Sequence, residues 1–172
     1  MILDIVTYPD PRLKEVCQPV EEITEEIRQL AQDMLETMYA APGVGLAAPQ
    51  VGKNIRLLVM DPAGKDEEKR PRILVNPELV LSGEETVSEQ EGCLSVPMNY
   101  RADVRRWTQV HLRAQGLDGG FIEEDLEDFD AIIVQHEYDH LEGILFIDKI
   151  SRLRRTLYDN KVKKWLKRKH AA

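Results

Sequence analysis

The sequence predicts a single α+β domain, and three observations support this. Short segments rich in Val, Ile and Leu occupy the middle of the chain, helical patterns lie toward both ends, and no regular strand–helix alternation links them. The expected architecture is short, mostly antiparallel strands packed around a central helix that carries two histidines, with further helices at the N- and C-terminal ends. At 172 residues, 42% hydrophobic and 31% charged, the chain is long enough to bury one sizeable core.

Taken in order, Thr7-Tyr8-Pro9-Asp10-Pro11 reads as a loop, since its two prolines interrupt any regular element. A helix is expected from Thr24, which can cap it. Glu25 and Glu26 fill the first turn, and Ile27, Leu30, Ala31, Met34, Leu35 and Met38 follow at helical spacing as a core-facing stripe. Pro42-Gly43 ends this helix near Ala40. Between Gly43 and Gly52, Gly43 and Gly45 flank Val44, an arrangement that lets backbone approach a neighbour closely. The segment lacks the Gly-Lys-Ser/Thr ending of a phosphate loop.

Ile55 to Met60 and Ile73 to Asn76 read as strands, with the charged stretch from Asp61 to Arg72 as an exposed loop between them. Leu79-Val80-Leu81, Ser82-Gly83 and Thr86-Val87 suggest a hairpin-like return. Val104 to Ala114 alternates in part, and Leu117-Asp118-Gly119-Gly120 forms a turn before Phe121-Ile122.

The second helix is predicted around Gln135-His136-Glu137-Tyr138-Asp139-His140, which has the form H-E-x-x-H. One helical turn separates His136 from His140, so both project from one face and can hold one metal ion. Glu137, one position round, can reach a water on that ion, where a general base is needed. Ala131 to Val134 supplies a buried lead-in, Asp128 or Asp130 can cap the start, and Gly143 provides a stop. Between the strands lies Glu91-Gly92-Cys93-Leu94-Ser95-Val96-Pro97. Beside a two-histidine helix, Cys93 becomes the third ligand, because a catalytic metal site wants three protein ligands and one open position.

Three blocks, Gly43–Gln50, Glu91–Pro97 and Gln135–His140, together resemble the peptide deformylase family in order and spacing, and the likeness runs from the Tyr8-Pro9-Asp10 loop to Gly143. The resemblance implies a bacterial enzyme that removes the formyl group from the N-terminal methionine of new polypeptides. It implies that Cys93, His136 and His140 bind one divalent ion, typically iron(II), while zinc, nickel and cobalt suit the same donors. It also makes Glu137 the acid/base and gives Gln50 and the backbone N–H of Leu94 the task of supporting the oxyanion. Substrate is expected along Val44, Gly45 and Gly92, with Val44, Phe129, Ile132 and Ile133 around the methionine side chain.

Two other readings use the same residues. In an H-E-x-x-H metallopeptidase of the longer pattern a third histidine would stand where Phe146 is, and a carboxylate ligand farther on has only Asp159 to offer. A nucleic-acid-binding protein with a structural metal needs a fourth ligand, and His111 and His170 are poorly placed to give one.

Charge is unevenly spread. Residues 151–172 hold nine Lys/Arg and one acid, a net of +8 against −16 for the remainder. We therefore expect 1–150 to be the catalytic part and 151–172 a basic helical extension of the same domain, anchored by Leu153, Leu157, Trp165 and Leu166. A substrate met at the start of translation makes the ribosome the expected polyanion for that extension. The extension follows every candidate ligand, so the chemistry is expected not to need it. No apolar run is long enough for a membrane span, no signal peptide is expected, and two cysteines without a C-x-x-C suit the reducing cytoplasm.

Overall fold

Thr24 starts the first helix as its side chain allows. In the computed structural model, which describes residues 1–171, its hydroxyl accepts a hydrogen bond from the Ile27 N–H at 3.3 Å. Helix α1 (Glu25–Ala40) buries Ala31, Met34, Leu35 and Met38, so the methionine stripe is core.

Five strands follow: β1 (Gly45–Ala47), β2 (Leu57–Met60), β3 (Arg72–Glu91), β4 (Ala102–Gln115) and β5 (Phe121–Glu127). They form one antiparallel sheet in the order β1-β2-β3-β4-β5, and each pairs with the next. All four residues of β2 are buried, and alternation divides them between two cores. Leu57 and Val59 pack with the methionines of α1, whereas Leu58 and Met60 pack with Ala131, Val134 and Leu141 of the second helix. The sheet is thus sandwiched here between α1 and the histidine helix.

One expectation is corrected in the sheet. Ser82-Gly83 is not a return but a bulge within one continuous strand, so β3 and β4 are longer than the sequence suggests. The pairing shifts between Ser82 and Glu85, and Gly83 absorbs it at φ 76°. A side chain at Gly83 would strike the Thr108 hydroxyl, so the glycine answers to close approach rather than to a turn.

Helix α2 (Asp128–Leu141) carries the two histidines and follows β5 directly. Its start also differs from expectation. Glu127 is the cap residue and makes no side-chain capping bond, and Asp128 turns the chain in the left-handed region at φ 52°. Asp128 and Asp130 lie in the first turn, where the positive end of the helix dipole favours them, but they do not cap it.

Gly143 ends α2 at φ 74°, and an added Cβ there would run into the Lys14 carbonyl. Gly143→Ala should therefore lower stability by about 2–3 kcal/mol through left-handed strain plus the displaced loop, read as a fall in the denaturation midpoint. An unchanged midpoint would contradict this account of the helix end.

Helix α3 (Arg152–Ala171) packs differently from its predicted anchors. Leu153 and Leu157 are 70% and 54% exposed, while Tyr158 and Val162 are buried with Phe146, Ile147, Val96 and Tyr8. Leu166 packs partly against the same cluster, and Trp165 is half-buried with the Lys169 ammonium 5.0 Å above its ring. An aromatic partner surface, not side-chain apolarity alone, selects the buried face.

Candidate active site

The histidine helix, the loop after β3 and the turn after β1 meet at one point. Cys93 Sγ, His136 and His140 bring ligand atoms within 4.8 Å of one another, and Cys93 Sγ lies 3.3 Å from His140 Nε2. The two imidazole rings are 5.2 Å apart at 69°, as i and i+4 on one helical face require. Among the described residues this is the one group of three His, Cys, Asp or Glu side chains placed to share an ion.

His136 Nδ1 meets Glu91 Oε1 at 2.9 Å, so its Nε2 is the atom left for the site. Glu91 is itself gripped from behind. Arg106 donates through Nε and Nη2 to both Glu91 oxygens at 2.9 and 2.8 Å, and through Nη1 to Asp139 at 2.7 Å. Lys149 approaches Asp139 at 3.4 Å. Burial alone would raise the Glu91 carboxyl, but the hydrogen bonds from Arg106 and His136 outweigh it and pull it down to about 2. Burial, with the neighbouring His136 and Arg106 charges, holds His140 well below the usual imidazole range, in the neutral form a metal ligand needs.

Glu137 is buried, and its Oε2 has no hydrogen-bond partner among the described residues. Burial pushes its carboxyl up to about 7, against the opposing pull of His136. Gly45 is the residue that makes room for it, since a Cβ there would stand 2.8 Å from Glu137 Cγ. Gln50 is buried with a fixed orientation. Its Oε1 accepts from the Ala47 N–H at 2.9 Å, which turns Nε2 toward Ser95 Oγ at 3.0 Å and Cys93 Sγ at 3.5 Å.

These groups open into a cavity of about 400 Å³. It is lined by Val44, Gly45 and Gln50, by Gly92, Cys93 and Leu94, and by Phe129, Ile132 and Ile133 of α2. Of the residues expected at the site, all but His140 line this cavity, and His140 lies in the ligand cluster with Cys93 and His136. Ile133 also packs in the core, while Phe129 is half-exposed at the mouth.

The sequence reading missed Arg106, Asp139, Ser95 and the role of Glu91. Arg106 carried a usable signal: it is the third inward position after Ala102 and Val104 on an alternating strand, where a buried cation demands buried anions. The competing ligand positions are otherwise engaged. Phe146 stacks on His136 at 6.2 Å, Asp159 accepts from the Tyr8 hydroxyl at 2.6 Å, and His111 pairs with Asp125 and Glu123 on the sheet surface. No closed four-ligand site forms among the described residues.

The convergent thiol and imidazoles, with a buried unpartnered carboxylate oxygen beside them, fit a divalent cation that keeps one position open. The sequence profile of polypeptide deformylases matches residues 2–156. The chain belongs to the polypeptide deformylase family. It is 52% identical over 166 residues to a peptide deformylase of Phenylobacterium zucineum, covering 96% of this chain and 98% of that one. The crystal structure of a peptide deformylase from Legionella pneumophila superposes with a TM-score of 0.88 at 42% identity, covering 99% and 98% of the two chains. A peptide deformylase from Ehrlichia chaffeensis, solved in complex with actinonin, gives 0.88 at 38% identity, covering 95% and 96%. This deformylase is accordingly a metal-dependent amide hydrolase that removes formyl groups, and no described helix is long and apolar enough to cross a membrane.

Proposed function

We propose that this deformylase acts in the cytoplasm on the N-terminal formyl-methionine of nascent polypeptides, with iron(II) held by Cys93, His136 and His140. The observation that carries the assignment of roles is the placement of Glu137: buried, unpaired on one oxygen and pressed against Gly45 beside the three ligands. Zinc, nickel and cobalt fit the same donors, and availability decides among them.

When bound, the ion supplies Lewis acidity and lowers the pKa of a coordinated water. Glu137 takes a proton from the attacking water and returns one to the leaving amine; a carboxyl near 7 can do both at neutral pH. The Gln50 amide, held by Ala47 and Ser95, and the Leu94 N–H face the carbonyl oxygen as it gains charge. One such donor is typically worth about 2.7–4 kcal/mol of barrier. Strand β1 is the sheet edge, so a peptide can add beside Val44 and Gly45 with Gly92 opposite, and place its methionine against Phe129, Ile132 and Ile133.

The test compares formyl-Met with acetyl-Met peptides on anaerobically prepared enzyme of known metal content. An added methyl in an apolar pocket discriminates by only about 1–3 kcal/mol, so rejection of acetyl well beyond that range is expected from misplacement of its carbonyl. Comparable rates would replace this reading with a general aminoacylase.

Residues 151–172 form a basic extension of the catalytic domain 1–150, and the ribosome is its proposed partner. Lys163, Lys164 and Lys167 are exposed on α3, away from buried Tyr158 and Val162. Charge reversal at these three lysines should abolish co-sedimentation with ribosomes at low salt, where wild-type binding is strongest because phosphate contacts release counterions. Equal co-sedimentation of variant and wild type would remove the ribosome from the proposal.

A further inference from the structure

The C-terminal helix packs behind one wall of the cleft, where Tyr158 meets Tyr100 of the cavity lining. Tyr158 is buried, and its hydroxyl donates to the Pro97 carbonyl at 2.9 Å. Its ring lies 4.3 Å from that of Tyr100, which stacks in turn on Phe146, the ring that covers His136. Between Pro97 and Tyr100, Met98 and Asn99 both sit in the left-handed region, at φ 67° and 51°. Two adjacent non-glycine residues there persist only when their surroundings hold them. Met98 and Asn99 are themselves exposed, so they are held at their flanks: Tyr158 bonds the Pro97 carbonyl and packs on Tyr100, while Asn99, Tyr100 and Arg101 line the same cavity as Glu137. The family match ends at residue 156, so Tyr158 lies outside it.

We propose that Tyr158 is a positioning residue for substrate binding: it fixes the strained Pro97–Arg101 wall of the cleft, and so makes α3 part of the peptide-binding machinery. This rests on the deformylase reading for its substrate, but the geometry it names is independent of it. Tyr158 makes no hydrogen bond to Cys93, His136 or His140 among the described residues, and neither Glu137 nor Gln50 depends on it for one. Its removal therefore acts on how the peptide is held and leaves proton transfer in place. The effect grows with the length of the peptide, because a longer peptide covers more of the cavity lining that Asn99, Tyr100 and Arg101 supply.

The experiment compares Tyr158→Phe, which deletes only the hydroxyl, with Tyr158→Ala and with Leu157→Ala on the exposed face of α3. KM and kcat are measured on formyl-Met di- and tetrapeptides, together with bound metal and hydrogen exchange of the 98–101 amides. For Tyr158→Phe we expect KM for the tetrapeptide to rise about fivefold, the size of one lost hydrogen bond, with kcat within about twofold. Metal content is expected to be unchanged and exchange at 98–101 faster. Tyr158→Ala should go further in the same direction, and Leu157→Ala should match wild type. If Tyr158→Ala fails to fold, Tyr158→Phe alone decides. Wild-type KM and exchange in Tyr158→Phe would overturn the proposal, as would equal losses in kcat and metal content. If wild type fails to cleave formyl-Met peptides, the substrate reading falls, and the exchange of 98–101 still tests the role of Tyr158.

Discussion

Glu137→Gln should retain metal and lose turnover of formyl-Met peptides by at least about 10²–10⁴-fold. The substitution preserves shape, so the contact with Gly45 and the packing of α2 survive. It removes the one carboxylate among the described residues that burial has brought to a protonation midpoint near neutrality within reach of the ligands. It also converts an unpaired buried oxygen into an amide that can neither take the proton from water nor return one to the amine. Neither Glu91 nor Asp139 can substitute, since Arg106 holds both in charge-assisted hydrogen bonds. The measurement is kcat with metal content determined on the same sample. Near-normal turnover in a fully loaded Glu137→Gln enzyme would remove Glu137 from the reaction.

That prediction could be framed from the sequence, because the spacing of His136, Glu137 and His140 on a helix fixes their relative directions before any tertiary contact forms. The same holds for α1, where Thr24 and the methionine stripe act locally. Legibility fails where a distant partner decides the outcome. Ser82-Gly83 has turn chemistry, yet a strand across the sheet converts it to a bulge. On α3, Leu153 and Leu157 are as apolar as any anchor, but Tyr100 and Tyr8 offer a surface that fits Tyr158 instead. The charged groups behind His136 come from β3, β4 and α2, and only the folded sheet brings them together.

Those charges carry the second large effect. Arg106→Met should lower stability by about 3–5 kcal/mol, because it leaves Glu91 and Asp139 without their shared buried cation. For a chain of this size that is a fall of about 10 °C in the melting midpoint. Metal affinity should fall as well, by about 10–100-fold, since Glu91 is then free to turn and no longer fixes the His136 ring. Stability and metal binding can be separated by a second substitution. In Glu91→Gln/Arg106→Met the uncompensated Glu91 charge is gone, so part of the lost stability should return. The charged acceptor for His136 Nδ1 is gone too, so metal affinity should stay low. Thermal denaturation of the apo forms, set beside metal titration, reads the two quantities independently. Full recovery of both in the double variant would mean that the Arg106–Glu91 pair serves packing alone, and a wild-type midpoint for Arg106→Met would mean that the buried pair carries no net stabilisation.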